Sequence, residues 1–394
     1  MRARKQQPKK SRPKRPTLKD LASHLDLSPT TISLVLNHSP VADAIPEETQ
    51  QRVFAMAREL GYRPNYIAVS LRSQRTNSIG VLVPEISDPW AAEIVGGIES
   101  HLLANDYTYL VTSHRRSTPK LLQDDLEMLA RRAVDGMILV ATELREPPMM
   151  PTVVISGHTR VKGLSNVVID HDRAAHLALA HLKELGHRRI ALFRGQPGSS
   201  DTEERARAIF EAAAALGMKI PAELTLQLSG EGEEEVFAPD AAYQEGYAFG
   251  KKLLGRGSKF TALFAFDDAS AIGATRAFLD AGLRVPEDVS VVGFDDIQIA
   301  AYHNPRLTTV RQPLREMGRV AASVLLERIN APQGTDGRSS ARSEDSFVIV
   351  APELIVRDST GPARVEDSRP RLSGPNKKKG QAGAPVLQAR RGKR

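Results

Sequence analysis

Residues 17–37, TLKDLASHLDLSPTTISLVLN, read as two short helices joined by a tight turn. Leu18, Leu21, Ala22 and Leu25 fall at i, i+3, i+4 and i+7, one apolar stripe along the first helix. Thr17 stands at its N-cap, with Asp20 three residues on placing negative charge in the first turn. Asp26 and Leu27 make the turn. Ser28 caps the second helix, and Pro29 takes its first position, where a missing N–H costs nothing. Ile32, Val35 and Leu36 can face the first helix, which leaves Thr30, Thr31, Ser33 and Leu34 outward. A third helix is expected over 47–60, closing at Gly61. Such a trio is a helix-turn-helix head or simply a small three-helix bundle.

Outward from the head, 68–84 reads AVSLRSQRTNSIGVLVP, a linker that opens into a buried strand. From Ser78 onward apolar strands alternate with amphipathic helices. Strands are expected in IGVLVP, YTYLVT, GMILVA, TVVIS, RRIALFR, LTLQLS, ALFAF and VSVVGFD, and helices over 90–105, 118–132, 171–185, 201–216, 243–254 and 269–281. This alternation predicts α/β architecture with parallel, doubly wound sheets. Some 280 residues is generous for one such sheet, so two lobes are expected.

The charge is unevenly placed. Residues 1–16 carry eight Lys/Arg and no acid, and 370–394 carry another eight and no acid. Taking those sixteen from the net charge of +7 leaves 17–369 at −9. The two tails read as disordered basic arms, either strengthening salt-dependent contact with phosphates or only aiding solubility. The chain has no cysteine, which excludes disulfides, thiolate metal sites and Cys nucleophiles. No run of 18 apolar residues exists, and no hydrophobic signal core follows the first charges, so a soluble cytoplasmic protein is expected.

The run from Thr17 to Pro84 resembles the LacI/GalR family of bacterial transcription regulators. There TxxDxAxxxxxSxxTxSxVLN is followed by RELGYRPN and a hinge ending in TxxIGVLVP; every piece is present here. The likeness continues more weakly to about residue 357. It implies a basic arm over 1–16, a DNA-binding head over 17–63 and a hinge helix and linker over 64–77. A two-lobed, periplasmic-binding-protein-like effector and dimerisation domain would follow over 78–359, then a basic tail over 360–394. It further implies that the second helix lies in the major groove of operator DNA. Pro29, Thr30 and Leu34 would then face base edges and Thr31, Ser33 and Asn37 position the phosphate backbone, with Thr17, Ser28, Tyr62 and Asn65 also among the DNA-binding residues. Leu34 departs from the family, whose usual Arg can fork onto guanine; Leu offers only apolar contact, as to a thymine methyl. Within NYIAVSLR (65–72), Ala68 and Leu71 belong to a helix too short to be stable alone, and Leu71 matches the family's minor-groove wedge.

The resemblance also implies a ligand cleft at the strand C-termini, lined by Trp90, Arg205, Phe266, Asp267 and Asp295. Carboxylates accepting from hydroxyls, an Arg clamp and an aromatic face suit a carbohydrate or related polyol. Two departures stand out: Asp267 replaces a frequent Asn, and Arg205 opens RARAI rather than RLxGF. The alternative for Asp267 and Asp295 is that they only cap the next helix, and Trp90 could be core.

Other chemistry finds little footing. His171, His176 and His181 are spaced by five, about 500° of helix, so their rings share no face and no metal site is expected. The acidic 231–240 segment lacks calcium-loop spacing, and no P-loop, nucleophile elbow or triad spacing appears. The reading is a repressor without cofactor or enzymatic activity. It would act as a homodimer on double-stranded operator DNA under a small-molecule effector, away from membranes. The family's tetramers add a C-terminal leucine heptad that 360–394 does not show. The rival is a sugar-binding module or enzyme carrying an incidental N-terminal bundle.

Overall fold

The computed structural model describes residues 16–364 apart from 38, 64–69, 71–73, 114–118, 145, 147–149, 198, 230–239, 258 and 332–345. The expected basic arms, except 16 and 360–364, lie outside the described residues, as do hinge positions Asn65, Ala68 and Leu71 and most of the acidic segment. The chain divides into two compact units, one up to Thr76 and one from Asn77.

In the first unit, α1 (Leu18–Leu25) starts on a reciprocal cap: Thr17 N–H donates to Asp20 Oδ2 at 2.6 Å, and Thr17 Oγ1 accepts from Asp20 N–H. α2 (Pro29–Leu36) starts on Ser28, whose Oγ accepts from Thr31 N–H at 3.0 Å. A 3-10 turn over Pro40–Ala44 then leads to α3 (Glu47–Glu59). Gln50 Nε2 holds that turn by donating to the carbonyls of Ala42 (3.0 Å) and Ile45 (2.9 Å). Leu21, Leu25, Ile32, Val35, Val53 and Ala57 close the core between the three helices.

The second unit contains two six-stranded sheets. β1 (Ser78–Val83), β2 (Thr108–Ser113), β3 (Gly136–Val140), β4 (Thr152–Ile155), β5 (Ser165–Ile169) and β11 (Ser346–Val350) form the first, in the order β11-β5-β4-β3-β1-β2. β6 (Ile190–Arg194), β7 (Thr225–Gln227), β8 (Ala262–Phe264), β9 (Ser290–Asp295), β10 (Thr308–Arg311) and β12 (Glu353–Ile355) form the second, ordered β12-β10-β9-β8-β6-β7. All pairings are parallel except β10 with β12. Intervening helices are α4 (Pro89–Ala104), α5 (Pro119–Arg131), α6 (His171–Glu184), α7 (Ser200–Ala215), α8 (Ala241–Gly255), α9 (Asp268–Asp280) and α10 (Leu314–Asn330). The doubly wound, two-lobed architecture expected from the alternation is the one the chain forms.

Period-two alternation builds both cores. Ile79, Val81 and Val83 point to the α4/α10 layer, whereas Leu82 meets Leu126 and Leu129 of α5. In the second lobe Ile190 and Leu192 join the α6/α7 layer, whereas Ala191 and Phe193 face α8/α9. Each sheet reverses its winding once, between β1 and β3 and between β6 and β8. Ligands of such sheets settle beyond the strand C-termini at that reversal.

β5, β10, β11, β12 and α10 were not expected. All five adjoin the three crossovers between lobes, at Asp170, at Gln312–Pro313 and at Ala351–Pro352. Asp170 N–H donates to the Val350 carbonyl at 3.0 Å and ties two of these straps together.

In each lobe one helix pair meets through glycine. A Cβ on Gly97 would lie 1.9 Å from the Arg315 carbonyl oxygen, and one on Gly318 2.1 Å from that of Ile94. Likewise Gly246 and Gly273 would put a Cβ 2.2 Å and 2.0 Å from the carbonyls of Ser270 and Tyr243. Gly273→Ala should therefore destabilise the body by about 1–3 kcal/mol through overpacking, beyond the roughly 1 kcal/mol Ala gains in helix propensity. Gly255→Ala, with nothing within 4 Å, should not. Urea unfolding of both variants checks this, and equal midpoints would mean that α8 and α9 separate freely.

Candidate functional site

On the head, Pro29 and Thr30 are exposed, and Leu34 is half-buried one turn beyond Thr30. The Ser28 hydroxyl caps α2 and bonds the Thr31 hydroxyl at 2.8 Å. Asn37 donates its amide to the Ser33 carbonyl at 2.7 Å and to the Ser33 hydroxyl at 3.1 Å. Thr17 is engaged in its cap. Tyr62 packs against the head's core, and burial raises its phenol pKa. The side chains free of local duty on this face are those of Pro29, Thr30 and Leu34.

In the body, β6 and β8 end where their sheet reverses, and the helix after β6 and the loop after β8 deliver Arg205 and Phe266 to one spot. The Arg205 guanidinium lies between two rings, 3.8 Å from the Phe294 centroid and 4.2 Å from that of Phe266. Its Nη1 donates to the Phe266 carbonyl at 2.7 Å and its Nη2 to Asp201 Oδ2 at 2.8 Å. Nε is buried without a partner. Asp295, buried at the end of β9, accepts from Gln312 Nε2 at 2.6 Å and caps no helix. Its φ of 108° and that of Asp296, 58°, are left-handed backbone that non-glycine residues rarely hold. Asp267 does cap a helix: its Oδ1 accepts from Ser270 N–H at 2.7 Å. Trp90 is half-buried and packs on the core of the first lobe.

Sequence reading passed over the groups that surround Arg205. Asp201 Oδ1 accepts from His171 Nε2 at 3.0 Å and from His158 Nε2 at 3.3 Å. His158 N–H donates to Ser200 Oγ at 3.0 Å, and Ser200 N–H donates to Glu143. His158 and Glu143 belong to the first lobe, Ser200 and Asp201 to the second, so this cluster bridges the cleft. Tyr243 stands near Asp267, Asp268 and Asp88; burial, then their charges, raise its pKa. No one-dimensional spacing announces a set at 143, 158, 171 and 201. The available hint was that Asp201 and Arg205 lie one helical turn apart.

The charges are strongly conditioned. Burial would raise the Asp201 carboxyl, but Arg205, then His171, with hydrogen bonds from both histidines, hold it well below the usual range. Burial lowers the pKa of His171 against the pull of Asp201. Burial raises Asp295 well above the ordinary value, reinforced by Asp268 and Asp267 and opposed by Arg205. Asp268 is pushed up to about 8 by burial, although it accepts from Thr309 Oγ1 (2.5 Å) and Ile297 N–H (2.9 Å).

A helix-turn-helix head joined to a two-lobed, doubly wound body with a polar cleft defines a DNA-binding regulator with a ligand-binding domain. The chain belongs to the LacI/GalR family of bacterial transcription regulators. Residues 17–65 match the model for bacterial regulatory proteins, lacI family, and 179–360 match a periplasmic binding protein-like domain. The HTH-type transcriptional repressor PurR of Haemophilus influenzae is 31% identical over 352 residues, 87% of this chain and 98% of that protein. Its namesake in Aliivibrio fischeri is 32% identical over 353 residues, with 87% and 98% covered. The CelR–cellobiose complex aligns with a TM-score of 0.61 at 29% identity, covering 88% of this chain and all of that one. The operator-bound lac repressor dimer, at 24% identity and a TM-score of 0.74 over 88% of this chain and 100% of that one, shares the fold. The protein is thus a transcriptional repressor of this family and not an enzyme. Among the described residues no helix is long and apolar enough to cross a membrane.

Proposed function

We propose that the protein is a cytoplasmic homodimer that represses transcription from a pseudo-palindromic operator. Its operator affinity is set by a carbohydrate or related polyol bound between the lobes. The observation that carries this reading is the meeting of Arg205, Phe266 and Asp295 at the strand ends of the second lobe, where Asp295 holds a strained backbone. An aromatic face beside buried carboxyl and guanidinium groups suits an apolar sugar face rimmed by hydroxyls. Two solved relatives hold sugars: CelR is in complex with cellobiose, and a LacI family regulator of Enterococcus faecium has bound ribose. On the head, Pro29, Thr30 and Leu34 read bases, while Thr17, Ser28, Thr31, Ser33, Asn37, Tyr62 and Asn65 set the docking. Ala68 and Leu71 belong to the hinge that kinks the operator centre.

Selection from a random-site duplex library tests the head. Wild type should enrich a two-fold related sequence, and Leu34→Arg should shift one position in each half-site toward guanine by about 1–3 kcal/mol. Repeating the binding with sugars present tests the cleft. A profile unchanged by Leu34→Arg would mean that α2 docks differently, and no sugar altering operator affinity would remove the carbohydrate.

A further inference from the structure

We propose that His158, His171 and Asp201 form a divalent transition-metal site joining the two lobes. His158 follows β4 on the first lobe; His171 opens α6 and Asp201 stands in the first turn of α7, both on the second. Their ligand-capable atoms all lie within 4.8 Å of one another. His158 Nε2 and His171 Nε2 are 3.3 Å and 3.0 Å from the same Asp201 oxygen. Donor atoms about 2.0–2.1 Å from a tetrahedral zinc stand roughly 3.3 Å apart. The two carboxylate–imidazole separations already match that spacing, and the two imidazole nitrogens, within 4.8 Å of one another, would close by at most about 1.5 Å to receive the ion.

The surroundings favour a built site over a chance cluster. The three side chains are only 13%, 3% and 9% exposed. The imidazole rings converge, with centroids 5.1 Å apart. The bond from His158 N–H to Ser200 Oγ fixes the loop of one lobe on the helix of the other, independently of the imidazole. Arg205 Nη2 occupies Asp201 Oδ2, leaving Oδ1 as a single ligand atom. His171 Nδ1 is buried without a partner, so its ring lacks the outer hydrogen bond that usually orients a ligating imidazole, and Asp201 and the packing around it hold the ring instead. Two imidazoles and one carboxylate suit zinc, cobalt, nickel or ferrous ion rather than calcium or magnesium, and leave a coordination position for water or ligand. The Arg205 charge opposes the ion and tempers its affinity. Because the ligands come from both lobes, the ion binds only where the lobes approach, and it draws the body toward that state.

Chelator-treated full-length protein titrated with Co2+ tests this. Visible ligand-field absorption should saturate at one equivalent per chain and be abolished by added Zn2+. Zn2+ should also raise the melting temperature. His158→Ala and His171→Ala should each weaken binding at least about tenfold, more than loss of an outer partner of a ligand does. His158→Gln, which keeps an amide donor toward Asp201, serves if alanine disturbs folding. Failure to bind one equivalent overturns the proposal. So does binding retained in the histidine variants whose metal-free melting temperature matches wild type.

Discussion

Arg205→Ala is expected to lower the stability of the body by roughly 3–5 kcal/mol, the scale of removing one partner from a buried ion pair. The guanidinium is 6% exposed, and the Asp201 carboxylate opposite it 9%. Without it the carboxylate keeps only its two imidazoles, and the rings of Phe266 and Phe294 face a void between them. Adding Asp201→Asn removes the stranded charge, so the double variant should recover part of the loss, and the two single effects should not add. Urea unfolding of the cycle measures this. Additive losses, or an Arg205→Ala effect below about 1 kcal/mol, would mean the pair is solvated in solution. The same variant should lose its response to effector, because the cleft's fixed cation is gone.

The second large effect is a pH dependence. Asp268 keeps its proton in the folded protein up to about 8, whereas an unfolded Asp releases it near 3.9. Between those values the folded chain binds more protons than the unfolded one, so this group's contribution is full below about pH 4. It declines as pH rises and is gone above about 8. The slope reaches about 1.4 kcal/mol per pH unit, and Asp295, also raised, acts in the same sense. Asp201 acts oppositely: its depressed pKa contributes stability that is lost only in acid, as pH falls through the folded value. Comparing wild type with Asp268→Asn isolates the first term, since the Asn oxygen can still accept from Ile297 N–H while its amide N–H donates to the Thr309 hydroxyl. The wild type should lose several kcal/mol relative to the variant between pH 4 and 8. Parallel stability curves would show that Asp268 is ionised in the fold.

The head was legible nearly residue by residue because its signals are local. Thr17, Asp20, Ser28 and Pro29 act within one turn of where they stand, and the i, i+3, i+4 stripe needs no distant partner. Eight strands, β1 to β4 and β6 to β9, were legible, most plainly those buried on both faces, which writes apolar runs such as GMILV and SVVGF. β10 and β12 escaped for the converse reason. TTVR and ELI are short and mixed, and they owe their strand conformation to neighbours far along the chain. α10 carries a readable stripe, Leu314, Met317, Ala321 and Leu325, but it returns the chain to the first lobe, which strict alternation does not foresee. Within the cleft, Arg205 and Asp295 were singled out by the family resemblance and their place after strands, and the fold brings them close together. His158 and Asp201 were not, because their chemistry arises from two lobes meeting. Asp267 shows the limit from the other side: its place after β8 is that of a ligand residue and also that of a cap, and the cap is what its carboxylate makes.

The three crossovers are one or two residues long, two of them contain proline, and Asp170 is bonded to Val350 across a pair of them. Mechanically they are short parallel flexures. Two such straps define an axis, and a third resists twist about any other. The glycine-seated helix pairs meanwhile make each lobe stiff. The body is left with one soft degree of freedom, and Gln312, which bonds Asp295, sits in one of the flexures itself. A molecule that takes hold of Asp295 therefore pulls directly on the part of the machine that bends.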